Sequence, residues 1–140
     1  MIEVIEKLML QLLAVPVFSL IGGPFLMLGT YLVGRFKPPF SVAYRACLWS
    51  TWTVVAIAFL AEMVAGAVGN KLGPVEYTLV WLAGAVVYTV IIDLMIEDPD
   101  FGPIGYRKAF LIYLVQFGLV ALIALAGLLL FVLFRTLGFV

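Results

Sequence analysis

One carboxyl inside an apolar run is the residue whose type and position most demand a chemical explanation. Glu62 lies within VVAIAFLAEMVAGAV, and a charge near the centre of a bilayer costs about 2.5–3.5 kcal/mol on insertion scales. Three roles fit such a residue: a structural, hydrogen-bonded acid, a proton or cation site, or a partner for a group on another chain. At helical spacing its face reads Thr51, Val55, Ala58, Glu62, Ala65 and Gly69. Ala61, Ala65 and Gly69 overlap that face, and small residues let helices approach closely. Glu62 is therefore expected in a helix contact. No lysine or arginine is expected at its depth, since Lys71 follows nine residues later, about 13 Å along a helix.

Asp93 and Glu97 are spaced one helical turn apart, below Thr89, Ala85, Leu82 and Thr78. With Arg45 and Arg107 at neighbouring helix ends, they predict an interfacial ion-pair cluster. The alternative is the mouth of a polar path running through Thr89 towards Glu62. Gln116 shares a face with Tyr113, Val120, Ala124 and Gly127. A buried amide needs partners, so Gln116 is expected to face the bundle and join helices. The basic-aromatic pairs Tyr44-Arg45 and Tyr106-Arg107-Lys108 suit anionic headgroups or plain interfacial anchoring.

Other chemistry is excluded by what is missing. With no histidine, the commonest metal ligand and the usual neutral-pH general base are absent. Cys47 is the only cysteine, so there is no intrachain disulfide and no cysteine cluster for a metal. No nucleophile stands beside a base, and Glu62 and Asp93 are expected at different depths. The chain reads as a non-enzyme without cofactor or metal.

The elements that must position these residues are transmembrane helices. Four apolar stretches, at about 8–34, 44–68, 75–96 and 108–134, reach the roughly 20 residues that spanning requires. In hydrocarbon the backbone must satisfy its own hydrogen bonds, which makes such runs helices. The first run follows an acidic, not basic, segment that includes Glu3 and Glu6, and it exceeds a signal-peptide core of about 7–15 residues. It reads as a retained helix. Pro16 and the Gly22-Gly23-Pro24 triplet predict a kink or a break within it, because proline removes a backbone donor. A break at mid-membrane would expose carbonyls, as at many transport sites.

Short connections rich in proline and glycine make sequential helices antiparallel neighbours. The fold expected is an all-α four-helix transmembrane bundle in a single domain, 1–140. The connections after the first and third helices share Phe-x-Pro followed by an aromatic-arginine pair. That leaves open a hairpin repeated in parallel, although the spacings differ. Tyr44, Trp49, Trp52, Tyr77, Trp81 and Tyr106 fall near helix ends, as aromatic belts do.

The composition agrees. The 140 residues are 66% apolar and 11% charged, where soluble domains average about 25% charged. A formal net charge of zero gives no basic field for nucleic acid. Arg35, Lys37, Arg45, Arg107 and Lys108 lie on one side, against Lys7, Lys71 and Arg135 on the other. By the positive-inside rule both termini are expected on the non-cytoplasmic side of a cell or inner membrane. Small-residue faces, a glycine-rich first helix and an unpaired acid suit a non-catalytic subunit of a larger or homo-oligomeric membrane complex. A small oligomeric transporter using Glu62 is the alternative, and a lipid-handling protein using its arginines is a third reading.

Overall fold

Most of the helix ends lie beside a proline or a glycine. The computed structural model describes residues 2–139. Helix α1 spans Ile2–Gly34, α2 Phe40–Ala67, α3 Pro74–Met95 and α4 Tyr106–Thr136. Pro39, in an extended conformation, precedes the first residue of α2, and Pro74 opens α3 at its first turn, where its missing N–H costs nothing. Helix α2 ends in a Schellman motif: Gly69 sits at φ +75°, its N–H bonds to Gly66, and the N–H of Asn70 bonds to Ala65 at 2.9 Å. Helix α4 ends in the same way, with Phe139 N–H on the Phe134 carbonyl and the two rings edge to face.

The helices outrun the apolar windows, most clearly at the start of α1, where Glu3, Glu6 and Lys7 are helical. Hydropathy marks the part that must lie in hydrocarbon, whereas caps and prolines mark where the backbone turns. Helix α1 is also continuous through Pro16 and Pro24. The expected weakness is thus no break, and no unwound carbonyls open at Gly22-Gly23-Pro24.

The third connection, whose prolines and glycines signal only turns, holds a small hairpin. Strand β1 (Glu97–Asp98) pairs antiparallel with β2 (Gly102–Pro103), and Asp98 Oδ1 accepts from the Asp100 N–H at 2.9 Å. Ile96 and Ile104 on either side are buried and pin the hairpin to the bundle, leaving Phe101 exposed at its tip.

All four helices are long and apolar enough to cross a membrane. The chain is a multi-pass integral membrane protein with an all-α four-helix architecture. Each helix packs on its sequence neighbour, and α4 closes the ring against α1. The burial is uneven along the axis. Leu26 and Thr30 of α1, Ala43, Ala46 and Cys47 of α2, Ile92 of α3, and Ala109 and Ile112 of α4 form a closed half. The other half, which holds the beginning of α1 and the end of α4, is open: every residue from Val120 to Phe139 is exposed.

Candidate functional site

Two groups of polar side chains stand out, one inside the closed half and one in the open half. The inner group draws on all four helices. Gln116 of α4 is buried and donates from Nε2 to the Gly22 carbonyl of α1 at 3.2 Å. The same Nε2 lies 3.9 Å from Cys47 Sγ of α2, and the Tyr88 hydroxyl of α3 donates to that sulfur at 3.4 Å. Gly22 makes this meeting possible: a Cβ there would come within 2.6 Å of Cys47 Sγ. Gln116 thus joins helices, as its spacing predicts. A cavity of about 180 Å³ adjoins the group, lined by Gly22, Cys47, Tyr88, Tyr113, Gln116 and Phe117 among others.

The inner group is incompletely satisfied. Gln116 Oε1 is buried without a hydrogen-bond partner among the described residues, as are the hydroxyls of Ser19 and Ser50. The contacts of Gly22 with Cys47 and of Lys7 with Glu62 fix the antiparallel register of α1 and α2, and that register sets Ser19 level with Ser50. An unpaired buried polar group costs on the order of 1–3 kcal/mol. The closed half therefore retains polar atoms at a cost that apolar side chains of the same size would avoid.

The proline in α1 has a partner of its own. Pro16 cannot donate to the Leu12 carbonyl one turn earlier, and Trp52 Nε1 of α2 donates to that carbonyl at 3.2 Å. Trp52 therefore does more than anchor an interface. The signal was present in the sequence: a proline inside a transmembrane helix leaves a carbonyl that another donor must meet.

In the open half Glu62 faces a wide cavity of about 890 Å³ between α1, α2 and the start of α3. Its carboxylate lies 3.9 Å from Lys7 Nζ. This corrects two expectations. A lysine does reach the depth of Glu62, because α1 begins before its apolar window and runs antiparallel to α2. The small residues around Glu62 also pack loosely: Ala61 and Ala65 are only partly buried, and Gly66 and Gly69 have open space where a Cβ would stand.

The ion-pair cluster expected from Asp93, Glu97, Arg45 and Arg107 does not form. Among the described residues the ion pair within 4.0 Å is Lys7 with Glu62. Helix α3 ends at Met95, so Glu97 leaves it for β1 and does not continue the face of Asp93. Arg45 Nε donates to the Ser41 carbonyl of its own helix at 3.2 Å. Arg107 and Lys108 are exposed. One oxygen of Asp93 is enclosed without a hydrogen-bond partner among the described residues. Thr89 is fully buried and donates to Ala85 at 2.8 Å. That bond to its own helix leaves Thr89 no free hydroxyl proton for a polar path. Among the described residues no group of histidine, cysteine and acidic side chains is placed to hold a metal.

No protein-family model matches this chain, and neither does any curated protein or solved structure.

Proposed function

We propose that this chain is a non-catalytic subunit of a membrane assembly, built with copies of itself or with other membrane chains, whose open half is completed by a helix from a neighbour. One observation carries the reading. Gln116 points inward, and at helical spacing Val120, Ala124 and Gly127 continue its face. Those positions are exposed, and a Cβ on Gly127 would meet nothing within 4 Å. Association in lipid is driven by close van der Waals packing rather than by exclusion of water. A face that runs from a buried amide to the exposed small residues Ala124 and Gly127 is suited to another helix.

Native mass in mild detergent tests this. The wild-type chain is expected in a particle larger than one protomer. Gly127→Leu adds bulk where the chain has no atoms of its own, so it should leave the protomer folded and shift the particle towards single protomers. A wild-type chain that is a lone protomer in native membranes refutes the reading.

Transport is the second reading, favoured by the cavity that reaches Glu62. It requires flux through the chain alone in proteoliposomes, lost in Glu62→Gln. Fully buried Leu26, Ile92 and Ile112 lie beyond the cavity and weigh against an open route.

A further inference from the structure

The cavity at Glu62 has the chemistry of a headgroup site. It combines a carboxylate, Glu62, with two ammonium groups, Lys7 and Lys71, and with apolar walls that include Val4, Phe59 and Met63. Lys7 and Glu62 are 3.9 Å apart, beyond hydrogen-bonding distance, so each keeps its donors or acceptors for a third group. Glu62 stands five residues before the last residue of α2, Ala67, about 7.5 Å below the helix end. Lys71 stands beyond that end. The charged groups therefore lie on either side of the end of α2, and ends of spanning helices are where headgroups are met. A volume near 890 Å³ falls within the roughly 300–1,000 Å³ of small-molecule sites.

We propose that this cavity holds a phospholipid whose headgroup carries both a phosphate and a primary ammonium. The phosphate is met by Lys71 and Lys7. The ammonium donates to Glu62, and one acyl chain lies along Val4, Phe59 and Met63. Charge complementarity selects this class. A purely anionic headgroup would meet the Glu62 carboxylate as a like charge. A quaternary ammonium has no N–H to donate to it. A free phosphate would leave the apolar walls unused. The inference stands apart from the subunit reading, because a lone protomer contains every group it uses.

The test is competitive lipid retention by the purified full-length chain, read by native mass spectrometry. The probes are phosphatidylethanolamine, phosphatidylcholine and phosphatidylglycerol with identical acyl chains. Phosphatidylethanolamine should be retained about tenfold over each of the others, the equivalent of one charge-assisted hydrogen bond. Glu62→Gln should abolish that preference while leaving total phospholipid binding. Lys71→Ala, in an exposed connection where folding is not at risk, should weaken retention of all three lipids, including their shared phosphate. Equal retention of the three lipids by the wild type overturns the proposal. So does a preference that survives Glu62→Gln, or retention indifferent to Lys71→Ala. If Glu62→Gln fails to fold, the wild-type preference together with the Lys71→Ala result decides.

Discussion

The closed and open halves are built from the same four mainly apolar helices, yet one of them is packed far more closely than the other. In the closed half glycines sit where helices cross. Gly22 meets Cys47, Gly23 meets Phe40 and Tyr44, and a Cβ on Gly29 would come within 3.2 Å of the Ile112 carbonyl oxygen. In the open half Gly66 and Gly127 meet nothing. Small residues therefore do not determine packing by themselves. They permit close approach where another helix is already present, and a glycine alone does not bring one.

The largest test of this contrast is a pair of identical substitutions. Gly22→Leu forces bulk against Cys47 and should cost on the order of 1–3 kcal/mol, as overpacking does. Gly127→Leu in the isolated protomer should change stability by less than about 0.5 kcal/mol. Unfolding in mixed micelles by denaturant measures both, and equal losses would erase the distinction between the halves.

A smaller effect is expected at the proline. Trp52→Phe removes the donor to the Leu12 carbonyl and should cost about 0.6–2 kcal/mol, the range of interhelical hydrogen bonds in membranes. Pro16→Ala restores a backbone N–H to that turn, so the indole should matter less in its presence. A double-mutant cycle reads the coupling. If Trp52→Phe costs the same with and without the proline, the indole is not serving the orphaned carbonyl.

The smallest effect concerns Gln116. Replacing it with leucine removes one interhelical hydrogen bond and also an enclosed, unpartnered carbonyl. The two changes oppose each other, so Gln116→Leu should alter stability by less than about 1 kcal/mol. A loss well beyond that would mean that Oε1 has a partner in the membrane, such as an ordered water in the adjoining cavity.

The four spans were legible because hydrocarbon imposes one rule on every residue: apolar length is helix. Gln116 was legible for a related reason, since an amide among leucines and valines has one sensible direction. Lys7 was misjudged because apolar windows mark hydrocarbon and not helix ends, so the extra turns of α1 went unseen. The arginine-carboxylate cluster failed because sequence gives depth but not azimuth. Arg45 turned to its own Ser41 carbonyl, and the chain left α3 before Glu97. The hairpin was hidden in a proline- and glycine-rich connection where Asp98-Pro99-Asp100 signals a turn but not a paired strand. The joint position of Cys47, Tyr88 and Gly22 depends on three interhelical registers at once, and no local pattern encodes it.

The enclosure of Cys47 has a practical consequence. The sequence holds one thiol, and it is 5% exposed, surrounded by groups from the other three helices. A small alkylating reagent that dissolves in lipid can reach it through the cavity of about 180 Å³ that it lines, or when those helices part. Its labelling rate therefore reports how readily that half of the bundle admits a solute, with no engineered probe and no competing thiol elsewhere in the sequence.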